Sequence, residues 1–218
     1  WVGVMARGIS ANGEIIYGTS WENWDFGMLY WVNNGANTEK PKWVGEDVRE
    51  VWEETMKNSD GTEYTTHLVN GLICQAQLTK ISPNGKWIAS SYRTETPAED
   101  RLSIVTTQTA AFYNTETETT TIVSDYGESV GVHVTDDGIG FIGIGTLGIS
   151  SGAVYDLNTG TDLGSTQDWV YDNYGIIIPA GYINYVSADG RFVLGTKAES
   201  SAGGVNFINW YIAPPVAK

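Results

Sequence analysis

One short turn recurs four times along the chain. It is spelled SANG, SPNG, TDDG and SADG, and its copies begin at residues 10, 82, 135 and 187. The starts of successive copies are therefore 72, 53 and 52 residues apart. The two nearly equal spacings indicate an internal repeat, and the surplus in the first spacing indicates an insertion.

Each copy of the turn separates apolar segments of the kind that form strands. An Asx-Gly pair tolerates the positive φ that a tight turn between antiparallel strands requires. A short apolar segment precedes each turn and an aromatic segment follows it. Small residues stand eight positions after each Ser or Thr, and apolar residues at related positions are expected to share one face: Gly18, Ser90, Gly143 and Gly195, with Ile16, Ile88, Ile142 and Val193.

A single antiparallel unit of this size cannot bury its apolar faces alone, so the units must stack on one another. A period near 50 residues with about four short strands per unit is typical of a β-propeller blade. The sequence therefore predicts an all-β fold: one propeller domain over residues 1–218 with about four blades, either complete or part of a larger propeller. The fourth unit is expected to lack its outer strand.

The surplus residues, about 35–71, are expected to hold a helical insertion. Within them GEDVREVWEETMKN places apolar residues at helical spacing, with glutamates opposite. The apolar set is Val48, Val51, Trp52 and Met56. This pattern predicts a helix over 46–57, which either packs on the propeller or contacts a partner.

The turn and its flanks resemble the HAF-type repeat of bacterial extracellular β-propellers. The resemblance is carried best by GISANGEIIYGTS at 8–20 and VSADGRFVLGT at 186–196, and the second unit departs from it at Pro83 and Ser90. It implies a propeller fold and a place in a secreted or cell-surface protein. An accessory lipoprotein of an outer-membrane nutrient-uptake complex is one such protein, but the repeat itself names no activity.

The charge of the chain restricts its partners. It has 26 acidic and 12 basic residues, a net charge of −14. Nucleic acid and anionic lipid both require basic residues, so neither is an expected partner. No apolar run approaches 18 residues, so this segment is not expected to insert into a membrane. The chain opens on Trp1 rather than Met, which predicts that a signal or anchor segment is absent from this sequence.

Motifs for cofactor or metal chemistry are weak. GIGTLG at 143–148 matches a dinucleotide motif, but a strand follows it where a helix is required. The two histidines, His67 and His133, have no companions at zinc spacing, and Cys74 is the only cysteine. We therefore expect no catalytic residue, metal ligand or cofactor. Calcium at the Asp-containing segments 135–137 and 159–162 remains an open alternative, without EF-hand spacing to support it.

Carboxylate pairs make an enzyme the alternative hypothesis, because glycan hydrolysis uses two carboxyl groups. The pairs are Asp136-Asp137, Glu99-Asp100 and Glu53-Glu54. Adjacent residues of a strand point to opposite faces, so neighbours in sequence are poor catalytic pairs. A glycan-processing enzyme of propeller fold is therefore the second hypothesis.

Two aromatic segments are the candidate binding sites. SWENWDFGMLYW at 20–31 places Trp21 and Trp24 in a predicted loop, and DWVYDNYG at 168–175 carries Trp169, Tyr171 and Tyr174. Exposed aromatic rings stack on sugars and anchor protein partners. The leading hypothesis is a non-catalytic binding propeller whose partner is another surface protein or a glycan.

Overall fold

The computed structural model describes residues 4–22, 25–33, 40–74, 78–145, 151–201 and 204–213. These residues form four antiparallel sheets, one for each copy of the turn. The first sheet consists of β1 (Val4–Ile9), β2 (Ile15–Glu22), β3 (Asp25–Val32) and β4 (Lys42–Trp43). The second consists of β5 (Glu50–Lys57), β6 (Glu63–Ile73), β7 (Lys80–Ile81), β8 (Trp87–Pro97), β9 (Ile104–Asn114) and β10 (Thr119–Val123).

The third sheet consists of β11 (Ser129–Val134), β12 (Ile139–Ile144), β13 (Ser151–Asp156) and β14 (Thr161–Ser165). One short helix, α1 (Thr166–Tyr174), follows it. The fourth sheet consists of β15 (Tyr182–Val186), β16 (Val193–Ser201) and β17 (Gly204–Ile212). Within the described residues this sheet has three strands, as predicted for the fourth unit. Single 3-10 turns lie at Glu46–Val48 and Ser124–Tyr126.

The four turns have the same internal hydrogen bonds. In the first, the Gly13 N–H donates to the Ser10 carbonyl at 2.9 Å, the Ser10 hydroxyl donates to the Asn12 side chain at 2.5 Å, and the Ile15 N–H donates back to the Ser10 hydroxyl at 3.0 Å. The same three bonds recur in the other copies. The predicted equivalence of the turns is therefore confirmed.

Two details of the repeat differ from the prediction. Only the glycine of each Asx-Gly pair takes positive φ, at 76°, 81°, 84° and 66°. The backbone of the Asx residue stays at negative φ, and its side chain stabilises the turn by hydrogen bonds. The third turn is one residue shorter, since β12 already begins at Ile139. Ile142, paired with Gly131 before the bulge of β11, is therefore the equivalent of Gly18, and Gly143 is displaced by one.

Three apolar layers join the successive sheets. The first and second sheets enclose Tyr17, Met28, Leu72, Ile88 and Tyr113; the second and third enclose Trp87, Phe112, Val134 and Ile142; the third and fourth enclose Val132, Phe141, Val154, Ile183 and Val193. Each sheet thus buries a face against the next one in sequence, which is the stacking that the repeat predicts for propeller blades.

The predicted helix over 46–57 is wrong. The segment instead forms the 3-10 turn Glu46–Val48 and strand β5, and β5 pairs with β6 in a long hairpin. Alternation explains the outcome, because Met56 is fully buried while its neighbours on either side are exposed. Of the apolar residues that suggested a helix, Val51 lies on one face of β5, and Trp52 and Met56 lie on the other.

A fifth copy of the turn closes this hairpin, in the segment NSDG at 58–61. The Gly61 N–H donates to the Asn58 carbonyl at 2.9 Å, and the Thr62 N–H donates to the Asp60 side chain at 2.9 Å. Gly61 has a φ of 84°. Asn58 stands where the other copies carry Ser or Thr, so this copy does not share their sequence pattern.

The burial of the turn serine sets what it contributes to stability. Ser82 is fully buried and accepts the Trp87 N–H at 3.0 Å, whereas Ser187 accepts the Phe192 N–H in an exposed setting. Ser82→Ala is expected to cost about 2 kcal/mol of unfolding free energy, because the buried N–H loses an acceptor. Ser187→Ala, the matched control, is expected to cost less than half of that.

Urea denaturation of both variants measures this difference. Equal losses for Ser82→Ala and Ser187→Ala would contradict the explanation, since the two turns share their bonds and differ in burial.

Candidate binding site between the third and fourth turns

Three of the turns are linked directly to one another. The Asn12 side chain donates to the Asn84 carbonyl at 3.0 Å, and the Asn84 N–H donates to the Asp136 carboxylate at 2.8 Å. The Asn12 N–H also donates to the Pro83 carbonyl at 3.2 Å. The turns of the first three sheets therefore form a continuous chain of hydrogen bonds at one end of the molecule.

A pocket of about 420 Å³ lies between the third and fourth turns. Its walls are the third turn (135–137), the fourth turn with the strand end before it (186–190), and the inward face of α1. The helix contributes Trp169, Asn173 and Tyr174, and Pro83 of the second turn closes one side. We call this the turn-end pocket. It brings residues of three sheets and the helix together.

The sequence positions α1 with ordinary capping residues. The Ser165 hydroxyl accepts the Asp168 N–H at 3.1 Å, and Gly175 ends the helix with a φ of 66°. Val170 and Thr166 are buried, so that side of the helix packs on the third sheet. The helix was not predicted, although the motif S-x-x-D with a Gly after the last turn is a signal for its two ends.

The aromatic wall of the pocket is held by ring contacts. Trp169 meets Phe141 edge to face with 5.0 Å between ring centroids, and meets Tyr174 at 5.8 Å. The Tyr174 hydroxyl donates to the Gly190 carbonyl at 2.7 Å and so ties the helix to the fourth turn. Burial, and then the negative charge of Asp189, raise the pKa of Tyr174. The wall is therefore rigid and neutral over the physiological range.

The polar wall consists of carboxylates that already serve the turns. Asp136 accepts the Asn84 N–H, and Asp137 accepts from the Thr135 hydroxyl. Asp189 accepts from the Ser187 hydroxyl at 2.6 Å and from the Arg191 N–H at 3.1 Å, and these bonds lower its pKa. A carboxyl group with a lowered pKa is a poor general acid, so this geometry suits polar contacts better than acid catalysis.

A buried histidine stands behind the strand that forms one side of the pocket. His133 Nε2 accepts the Val186 N–H at 3.0 Å, and its ring lies 5.7 Å from Phe141 and 5.4 Å from Tyr185 between centroids. Burial, and then the positive charge of Lys80, lower the pKa of His133 to about 4. The imidazole is thus neutral and packed among aromatic rings where the third and fourth sheets meet.

The predicted site residues do not all lie in one place. Trp169 and Tyr174 lie together in the wall of the turn-end pocket. Tyr171, on the same helix, is 58% exposed and is not among the described residues that line the pocket. The placement of Trp21 in a loop is wrong, since β2 continues to Glu22 and Trp21 pairs with Phe26 of β3. The Trp21 side chain and all of Trp24 lie outside the described residues.

Metal and membrane features can be judged for the described ranges alone. Across these ranges, no three carboxylate, histidine or cysteine side chains are grouped closely enough to hold a metal ion. In the same part of the chain, no helix has the length and apolar character needed to cross a membrane. Both segments proposed for calcium use carboxylates in local hydrogen bonds: Asp137 accepts from the Thr135 hydroxyl, and Asp162 accepts the Gly164 N–H at 2.7 Å.

The fold is similar to that of a known protein, TolB from Acinetobacter baumannii. The match has a TM-score of 0.51 at 11% sequence identity and covers 96% of this chain. The chain spans 41% of the length of that TolB chain. No protein-family model matches the sequence, and no curated protein matches it either. TolB has a β-propeller domain, so the match confirms the predicted fold class, and at this identity it shows the fold alone.

Proposed function

We propose that this chain is a single propeller domain whose function is non-catalytic binding, within a secreted or cell-surface bacterial protein. Its partner is another surface protein, and the turn-end pocket is the place of contact. The observation that carries the proposal is the pairing of a rigid aromatic wall, Trp169 and Tyr174, with exposed turn carboxylates around one open pocket. Aromatic side chains on a rigid scaffold are the usual anchors of protein interfaces.

The HAF-type sequence resemblance supports the extracellular setting. It comes from the turns themselves, whose shared hydrogen bonds also give them a structural role. A role as an accessory lipoprotein of a nutrient-uptake complex follows from the resemblance and forms part of this proposal.

A glycan is the second partner considered, and a glycan-processing enzyme is the second function. Trp169 could stack on a sugar ring, but catalysis needs a carboxyl group kept protonated near neutral pH. The lowered pKa of Asp189 and the turn bonds of Asp136 and Asp137 run against that role. Binding of a surface protein is therefore the better-supported function.

The test begins with the immobilised chain and a membrane extract of the organism that makes it. The captured protein is identified, purified and titrated against the chain. Trp169→Ala is expected to weaken binding about thirtyfold, about 2 kcal/mol, as the loss of a central aromatic anchor does. Trp21→Ala and Trp24→Ala test the other predicted aromatic segment, and Tyr171→Ala tests the exposed face of α1.

Thr119→Ala on the outer strand β10 is the control for these titrations. Thermal melting of each variant separates lost contacts from lost stability, because Trp169 also packs on Phe141. If folded Trp169→Ala binds as tightly as Thr119→Ala, the pocket is not the contact site. Steady turnover of a glycan by the purified chain would overturn the non-catalytic proposal itself.

A further inference from the structure

The polar wall of the turn-end pocket carries carboxylates and no cation. Asp136 and Asp137 of the third turn and Asp189 of the fourth turn line it. No lysine, arginine or histidine is among the described residues that line this pocket. Asp137 and Asp189 are exposed and Asp136 is partly exposed, so a ligand can reach all three side chains. The wall therefore favours a ligand group with a positive charge.

Each of these carboxylates uses only one of its oxygens in the turns. Asp136 Oδ1 accepts the Asn84 N–H at 2.8 Å. In the same way, Oδ1 of Asp137 and Oδ1 of Asp189 accept the hydroxyl groups of their own turns. Among the described residues, no hydrogen bond uses the Oδ2 atom of any of the three. A second acceptor on each aspartate is thus available to a ligand.

The turns themselves do not require these charges. Asn12 and Asn84 occupy the same position in the first and second turns as Asp137 and Asp189 occupy in the third and fourth. The asparagines accept the turn hydroxyl through Oδ1 just as the aspartates do. Aspartate therefore replaces asparagine in the two repeat turns on either side of the pocket, although a neutral side chain makes the same turn.

The aromatic wall of the pocket adds a second attraction for a cation. Trp169 and Tyr174 line the pocket and are only partly buried, so part of each ring is open to a ligand. The face of an aromatic ring attracts a cation, and tryptophan does so most strongly. A guanidinium group can stack on such a ring and at the same time donate hydrogen bonds to carboxylates. This combination of walls matches an arginine side chain.

A metal ion is the other cation that carboxylates bind. Within the described ranges, however, no three carboxylate, histidine or cysteine side chains are grouped closely enough to hold one. A guanidinium is broader than a metal ion and spreads its N–H donors over a plane, so it can reach acceptors that stand farther apart. The spacing of the carboxylates thus favours an organic cation.

We infer that the turn-end pocket binds an arginine side chain of the partner protein. The inference rests on the proposed function, because it names the group on the partner that this site binds. The guanidinium lies against Trp169 and donates to the Oδ2 atoms of Asp137 and Asp189. The pocket volume of about 420 Å³ lies within the range of about 300–1,000 Å³ that is usual for ligand pockets. The net charge of −14 also attracts a basic partner.

The experiment tests the side chain first without the partner, with Nα-acetyl-arginine methylamide as the probe. The citrulline analogue has nearly the same shape without the charge, and the lysine analogue has the charge without the planar group. Each probe is titrated against the folded chain by calorimetry and by the indole N–H NMR signal of Trp169, which is assigned by its absence in Trp169→Phe. We expect the arginine probe to shift this signal and the citrulline analogue to bind about tenfold more weakly or less. The lysine analogue is expected to bind about threefold more weakly.

The double variant Asp137→Asn with Asp189→Asn removes two charges and keeps the turns, since it gives them the side chain of the first two turns. It is expected to weaken binding of the arginine probe by about tenfold or more. Asp60→Asn is the matched control, because Asp60 accepts the Thr62 N–H in the turn at 58–61 and does not line the pocket. It is expected to bind the probe as the original chain does.

Three results would overturn the inference: equal binding of the arginine and citrulline probes, a Trp169 signal that does not move, or unchanged binding by the double variant. Titration of the captured partner separates this inference from the proposed function. A partner that needs Trp169 but binds the double variant as tightly as the original chain would support the surface contact and overturn the arginine pocket. Selective binding of the arginine probe, with a partner indifferent to Trp169→Ala, would support the arginine pocket and overturn the proposed contact site.

Discussion

Gly131→Val is expected to destabilise the fold by about 3 kcal/mol or more. Gly131 lies in β11, the strand of the third sheet that packs against the second sheet. A Cβ atom at this position would lie 2.8 Å from the Ser90 carbonyl oxygen and 2.9 Å from the Ala111 carbonyl oxygen. Both obstacles are backbone atoms of central strands, which cannot turn aside as a side chain can. Overpacking of this kind costs about 1–3 kcal/mol for small insertions and more when the backbone must move.

Gly71→Val is the matched control. Gly71 is also a buried strand glycine with ordinary backbone angles, but a Cβ there would make only a normal contact with Arg49 Cγ at 3.5 Å. Guanidinium chloride denaturation of both variants gives the comparison. A loss for Gly131→Val no larger than that for Gly71→Val would show that the second and third sheets are not packed as closely as described.

The turns made the fold predictable from sequence. Their Ser, Asx and Gly residues act through hydrogen bonds within the turn, so a four-residue motif is enough to predict the turn conformation. The small residues after them were less informative, because the third turn is one residue shorter and shifts the alignment from Gly143 to Ile142. A turn that is one residue shorter changes which residues pair in the sheet, so equal spacing in the sequence does not guarantee equivalent positions in the register.

The error over 46–57 has a physical cause. Apolar residues three and four apart suit a helix, yet the same segment also alternates, and short apolar patterns satisfy both periods. Pairing with β6, which buries Met56 and Leu68, decided in favour of the strand. The local sign of that pairing is the NSDG turn at 58–61, which joins the two strands but carries Asn58 in place of the Ser or Thr of the other copies.

The candidate site was predictable only in part. The segment 168–175 was identified from its aromatic residues, and Trp169 and Tyr174 do line a pocket. Asp136 and Asp189 join them only because the third and fourth sheets are neighbours, which spacing along the chain does not reveal.

Acid is expected to weaken the fold through His133. Its pKa in the folded chain is about 4, against about 6.5 in an unfolded chain. Between these values the unfolded chain binds a proton that the folded chain excludes. The free energy of unfolding is therefore highest above about pH 6.5 and falls as the pH falls toward 4. The expected loss between pH 7.5 and 5 is about 2 kcal/mol, and it approaches about 3 kcal/mol near pH 4.

His133→Gln removes this titration while keeping an acceptor for the Val186 N–H, which His133 Nε2 provides in the original chain. Urea denaturation at pH 7.5, 6.0 and 5.0 should show a flatter pH dependence for His133→Gln. His67→Gln, which changes the chain's other histidine, should keep the slope of the original chain. The carboxylates with lowered pKa, such as Asp189, lose their contribution only at still lower pH, so this range isolates the histidine. If the slope persists in His133→Gln, protonation of His133 is not what limits stability in acid.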